Sequence, residues 1–290
     1  MIFDYLLLTA SVAVNVTGSS INNRFSKHKG ETTTADKFAY NLLASAAALL
    51  VVALFGGSLR LSLTTFLLGI LFGVCNGCSF ICRTFALAEG PMSLTLLIGS
   101  CGMLIPTIAG TIFWHEPISL VQAGGIALML FALSLIMGVG AKPREGRLSL
   151  RWILFSIGSF LCTGFISVMQ KVQQSSAYPD ERGGFLLTSF IIALVINGLM
   201  LLLSGRKAVH KPGRESAGGL LTGCCTGANH MLNLYLSGVI PAVIFFPLVN
   251  GGGILLSAIV GRLLFGETCS KRQYLGFALG LAAILCIGLG

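Results

Sequence analysis

Charge is scarce in this chain: Asp, Glu, Lys and Arg together make up 10% of its 290 residues, whereas a water-soluble domain carries about 25%. Acidic residues are scarcer still, ten in all, and none falls in the middle of an apolar run. This excludes an ordinary soluble globule. No Walker A segment is present, which argues against ATP as the energy source. No His/Asp/Glu cluster and no nucleophile beside a base is evident, so no enzymatic activity, cofactor or metal is implied. Met1 to Tyr5 lack the basic region and cleavage site of a removable signal peptide, and the first apolar run is expected to be retained.

Hydrophobic residues, by contrast, make up 54% of the chain. They fall in runs of roughly 17 to 25, the length a helix needs to cross ~30 Å of hydrocarbon. The runs predict helices near 3–22, 38–57, 63–87, 91–113, 119–140, 151–170, 184–204, 216–237, 241–265 and 273–289. The expected fold class is therefore an all-α integral membrane protein of ten transmembrane helices. Most of the nine cysteines lie inside these runs, where a thiol behaves as a small hydrophobe. Cys75 and Cys78 form a C-x-x-C without a second ligand pair, so packing is the expected role. The net charge of +9 sits mainly in the gaps between runs. It is read as topological, with no nucleic-acid partner.

Sliding the chain against itself by 151 residues exposes an internal repeat. Gly102, Gly110, Glu116, Ser119, Gln122, Gly125, Ala127 and Leu128 meet Gly253, Gly261, Glu267, Ser270, Gln273, Gly276, Ala278 and Leu279, and 13 of 35 positions from 102 to 136 are identical. The first hairpins align less well, at an offset of 146, where Thr17 and Gly18 meet Thr163 and Gly164. The division is five helices in 1–141 and five in 142–290. An odd number per half makes the second half enter the membrane from the opposite face. The expectation is two inverted repeats, an architecture that supports alternating access to one central site.

Each half ends in a similar way: Phe113-Trp114-His115-Glu116 with Gln122 and Gly125, and Leu264-Phe265-Gly266-Glu267 with Gln273 and Gly276. These endings resemble the drug/metabolite transporter superfamily in its ten-helix form with paired EamA-like halves. The resemblance implies a carrier whose pocket is lined by the first, third, fourth, sixth, eighth and ninth helices. It does not name a cargo. The expected partners are a small-molecule solute and membrane lipid, with the chain acting as a monomer or homodimer.

Lys and Arg in short loops set topology. Three (Arg60, Lys171, Arg182) fall on the N-terminal side and fifteen on the other, with Arg83 inside a helix. This bias places both termini outside the cytoplasm of a cell-membrane protein, while the resemblance implies termini inside.

Polar side chains in hydrocarbon are costly unless they pair or face water, so they point to the cavity. Asn15, Ser19 and Asn22 share one face of the first helix; Asn76, Ser79 and Arg83 share one face of the third; Thr226, Asn229 and Asn233, with His230 beside them, mark the eighth. Asn250 precedes Gly251, Gly252 and Gly253 in the ninth, and Gln170 closes the sixth. Arg83 either snorkels or pairs with Glu89, or binds an anionic substrate. His230 is a candidate for proton coupling or a neutral structural group. Glu116 and Glu267 are expected to be structural, each capping the helix that follows its turn. Pro106 and Pro247 interrupt helices and, with the three glycines, are candidate hinges. Asn15 stands in the helix where small multidrug exporters carry a glutamate, which speaks against cation/proton antiport of that type. The reading is a secondary carrier of a small polar organic solute, amino-acid-like or another metabolite, anionic solutes included, with proton coupling as an option and a lipid or lipid-linked flippase or a multidrug/cation exporter as the alternative.

Overall fold

The structure, a computed structural model, describes residues 2–26, 34–58, 60–89, 92–136, 149–204, 214–265 and 270–289. Every regular element among them is helical: α1 Ile2–Ser26, α2 Thr34–Phe55, α3 Leu63–Glu89, α4 Met92–Ser100, α5 Leu104–Phe113, α6 Leu120–Ile136, α7 Leu150–Gln174, α8 Arg182–Leu203, α9 Arg214–Val239, α10 Ala242–Phe265 and α11 Lys271–Leu289. Serines mark several starts by accepting an orphan N–H: Ser62 from Thr65, Ser149 from Trp152, Ser119 from Gln122 and Ser270 from Gln273. The last two are reciprocal boxes. The side-chain oxygens of Gln122 and Gln273 accept the backbone N–H of Ser119 and Ser270 at 3.0 and 2.8 Å.

Two expectations are corrected. The single helix at 91–113 is broken by a 3₁₀ turn, Cys101–Met103, between α4 and α5. Pro106 has no N–H for the Gly102 carbonyl and its ring would crowd it, so the helix tightens before the proline and restarts. The sixth run extends past Gln170, which is buried, to Gln174.

Of the ten expected spans, six among the described residues are long and apolar enough to cross a membrane on length and composition: Ala35–Phe55, Leu63–Arg83, Thr95–Phe113, Leu150–Gln174, Arg182–Leu203 and Lys271–Leu289. Leu120–Ile136 and Ala242–Leu256 are shorter apolar stretches. α1 and α9 are the two least apolar of the long helices. Their Asn, Ser and Thr side chains lower the average, and those same residues build the site described below.

The chain divides into two compact units, residues 1–77 with 172–238 and residues 78–171 with 239–290, so each takes helices from both sequence halves. In the first unit, glycines remove the Cβ layer that would keep helices apart. Gly69, Gly73 and Gly77 of α3 lie against Phe185, Thr188, Ser189, Ile192 and Ile196 of α8. Gly219, Gly223 and Gly227 of α9 lie against Tyr40, Leu43, Ala44, Ala47 and Val51 of α2. The ridges stand 150 residues apart and the surfaces that receive them 145 apart, contact for contact. α2 and α8 also meet directly, where the Asn41 amide donates to Asn197 Oδ1 at 3.3 Å. Near the start of α8, Glu181 accepts from the Ser62 N–H and hydroxyl at 2.9 and 2.7 Å. Hydrogen bonds from Thr65 and Ser62, with Arg60 nearby, hold its carboxyl below the usual carboxylate range.

In the second unit α6 packs against α11. A Cβ on Gly125 would meet Ala283, Cys286 and Ile287, and one on Gly276 would meet Ala132, Leu135 and Ile136. Every contact is returned 151 residues later with the partners exchanged, so the helices run antiparallel about a local two-fold relation. Lys171 of α7 forms an ion pair with Glu116 at 2.8 Å, with side chains 8% and 15% exposed. The second carboxylate oxygen of Glu116 accepts the Ala242 N–H at 2.6 Å. Glu116 therefore caps α10, not the helix that follows its turn. The box of Ser119 and Gln122 already satisfies the start of α6, which leaves the carboxylate for another N-terminus. Just before it, His115 adopts a positive φ of 53°, a conformation suited to glycine, and the repeat places Gly266 at the matching position.

Candidate functional site

In the first unit α1 and α9 line a pocket of ≈ 190 Å³. From α1 come Val14, Asn15, Gly18, Ser19 and Asn22; from α9 come Thr222, Cys225, Thr226, Asn229 and His230. Residues three and four apart share a helix face, so each helix contributes a stripe several turns long. The helices approach closely at Gly18, where an added Cβ would lie 3.0 Å from that of Cys225. α9 is thus two-sided, with a glycine ridge seated on α2 and a polar stripe facing α1.

Beside the pocket, Ser11, Asn229 and Asn233 form a closed hydrogen-bonded ring. The Asn229 amide donates to the Ser11 carbonyl at 2.9 Å and to its hydroxyl at 3.0 Å. The Asn233 amide donates to Asn229 Oδ1 at 3.0 Å, and the Ser11 hydroxyl donates to Asn233 Oδ1. All three residues are buried. Such mutual satisfaction is what a desolvated polar cluster needs, since an orphaned amide or hydroxyl in an apolar interior is expensive.

Other wall groups are also oriented. The Tyr40 hydroxyl lies 2.6 Å from Thr222 Oγ1, and the Thr226 hydroxyl donates to the Thr222 carbonyl at 2.8 Å. Ser19 Oγ stands 3.5 Å from Asn15 Oδ1, which is the outer limit of a hydrogen bond. His230 is half-buried, with the rings of Phe72 and Phe190 set edgewise at 5.5 and 5.7 Å. The aromatic pair packs against the imidazole at the pocket wall.

The structure thus brings together Asn15, Ser19, Asn22, Asn229 and His230 on one wall, with Asn233 in the ring beside them. Asn76 is half-buried on α3 in the same unit but does not line this pocket. Ser79, Arg83 and Asn250 belong to the other unit. There the Ser79 and Thr163 hydroxyls lie 3.1 Å apart, joining α3 to α7. Arg83 is exposed, and the carboxylate of Glu89 accepts the Ser149 hydroxyl at 3.3 Å. The Asn250 amide donates to the Phe246 carbonyl of its own helix at 3.0 Å. Pro247 sits inside α10, and Gly251 is pressed against Met129 of α6. Pro106, Gly252 and Gly253 are buried. Glu267 lies outside the described residues.

Sequence reasoning missed Ser11, Thr222 and Tyr40. The first two had a signal: Ser11 lies one turn before Asn15, and Thr222 one turn before Thr226. The correspondence of Asn76, Ser79 and Arg83 with Thr226, Asn229 and Asn233 was not legible either, although the glycine ridges register these triplets with each other at 150 residues. Tyr40 carried no signal, because its hydroxyl reaches α9 from another helix.

Residues 6–138 match the EamA-like transporter family. An uncharacterized protein of Haemophilus influenzae is 26% identical over 191 residues, 64% of this chain, and the chain spans 62% of that relative's length. A crystal structure of a protein that is 14% identical superposes with a TM-score of 0.78, covering 99% of this chain and 96% of the other. That likeness is one of fold.

Proposed function

We propose that this chain, whose residues 6–138 match the EamA-like transporter family, carries a small polar organic solute across a membrane by alternating access and binds it between α1 and α9. The observation that carries this reading is the pairing of two polar stripes in an otherwise apolar chain. Amides and hydroxyls at membrane depth are retained where they pair or meet a hydrated path. Here a ring of three satisfies itself, and the rest face an open volume.

The cycle rests on two inverted five-helix halves, 1–141 and 142–290. Supporting this are the exchanged contacts of Gly125 and Gly276, and those of the two glycine ridges. Halves related in this way have two equivalent arrangements, and exchanging them opens a central site to alternate sides. A solute favours the arrangement that binds it better by no more than its differential affinity. His230 and Cys225 are the titratable side chains on the wall, and His230, whose reference pKa of ~6.5 lies in the working range, is the candidate for proton linkage. If His230→Gln leaves the pH dependence of uptake unchanged, that part of the proposal fails.

Counterflow in proteoliposomes tests the carrier. Saturable exchange of a labelled solute that Asn15→Ala or Asn22→Ala weakens at least tenfold supports it; lipid scrambling without solute flux overturns it. Orientation is read from the Lys and Arg bias alone, three on the N-terminal side against fifteen on the other. The proposed location of both termini is outside the cytoplasm of the cell membrane. Strong signal from a cytoplasm-only reporter fused to Gly290 would reverse it.

A further inference from the structure

We infer that the solute is uncharged, a polyhydroxyl or amide compound of monosaccharide size or smaller; this rests on the transport reading above and narrows it. Seven of the ten wall residues have polar side chains, and all seven are amides, hydroxyls or an imidazole. Among the described residues the wall carries no carboxylate, ammonium or guanidinium. Asp36, buried on α2 of the same unit, does not line the pocket, and neither does Arg83. An ionised group leaving water for such a wall would meet no opposite charge, and a charge without a partner is the most costly group to desolvate.

The wall is well matched to neutral hydrogen-bonding solutes. An Asn amide and a Ser or Thr hydroxyl each offer both donor and acceptor, so a row of them can serve successive hydroxyls in either sense. Asn15 and Asn22 lie about 10 Å apart along the axis at 1.5 Å per residue, a length over which a carbon chain presents several hydroxyls. The buried ring of Ser11, Asn229 and Asn233, of which Asn229 also lines the wall, is closed on itself and contains no ionisable group. At ≈ 190 Å³ the pocket is small. That is below the ~300 Å³ at which pockets for drug-sized ligands begin.

The test uses the full chain reconstituted in liposomes at pH 7.5, where a free imidazole is mostly neutral. The probes are glucose, ribose, erythritol and glutaramide as the uncharged set, gluconate as anion, glucosamine as cation and serine as zwitterion. At least one uncharged probe is expected to raise the melting temperature and to exchange in counterflow, with its charged counterpart at least tenfold weaker. Asn15→Asp places a carboxylate on the wall and is expected to raise affinity for glucosamine at least tenfold; Asn22→Asp is the second variant if the first does not fold. Transport of gluconate, glucosamine or serine by the unmodified chain as well as or better than every uncharged probe overturns the inference and leaves the carrier standing. If folded protein neither binds nor moves any probe, the carrier reading falls with it.

Discussion

Lys171→Met, in the buried pair of the second unit, is expected to destabilise the protein by about 3 kcal/mol or more, because removing one partner leaves the other charge desolvated and alone. The partners stand 2.8 Å apart and are 8% and 15% exposed. At an effective dielectric of 20 the bare attraction at that distance is on the order of 6 kcal/mol, and desolvation offsets much of it. Glu116→Gln is expected to cost a similar amount by orphaning Lys171, although the amide oxygen can still accept the Ala242 N–H that the carboxylate accepts now. The double variant carries no unpaired charge. It is therefore expected to be less destabilised than the sum of the singles by about 2 to 4 kcal/mol, as buried pairs behave when both charges are removed. Unfolding in graded SDS–detergent mixtures, with the four proteins in parallel, measures the cycle. If the single costs add to within about 0.5 kcal/mol, the sites are independent, and the reasoning that Glu116 links α7 to the start of α10 is refuted.

Neighbouring glycines of α6 are expected to respond in opposite senses. Gly124→Ala meets nothing within 4 Å and should stabilise the helix by up to about 1 kcal/mol; Gly125→Ala meets Cys286 and Ile287 at 2.9 Å and should lower the melting temperature. Ser11→Ala opens the buried ring and should cost about 1 to 2 kcal/mol, given roughly 0.6 kcal/mol for an average interhelical bond in a membrane protein; SDS unfolding equal to the unmodified chain would show that the ring adds nothing. Glu181 has a folded-state pKa below its ordinary ~4.3, so its contribution is present above that value and is lost as pH falls through the lowered one. Melting temperature followed from pH 6 to 3 should fall more steeply in the unmodified chain than in Glu181→Gln, and parallel curves would refute the assignment.

The 151-residue repeat was legible where offset and polar chemistry coincide. Glu116, Ser119, Gln122 and Gly125 repeat as Glu267, Ser270, Gln273 and Gly276 without slippage, and the capping boxes and helix contact at three of these pairs repeat too. The earlier helices repeat just as closely in contact, but at 145 residues for α2 and α8 and 150 for α3 and α9. Connecting loops of unequal length shift the register, and a ridge needs only small residues, so the identity is diluted while the surface persists. The role of Glu116 was misread because a turn position shows which helix follows, not which N-terminus lies within reach.

What the sequence by itself determined is local. Run length dictates helices, 3.6-residue spacing puts Asn15, Ser19 and Asn22 on one face, and serine with glutamine three residues on starts α6 and α11. Which face meets which was decided by tertiary structure alone. Ser11 pairs with Asn229 and Asn233, and Glu116 with Lys171 and Ala242, because packing sets α1 beside α9 and the turn after α5 beside α7 and the start of α10. A polar stripe states its need for partners through the cost of leaving it unpaired. Only the packed chain decides whether another stripe or an open volume meets that need.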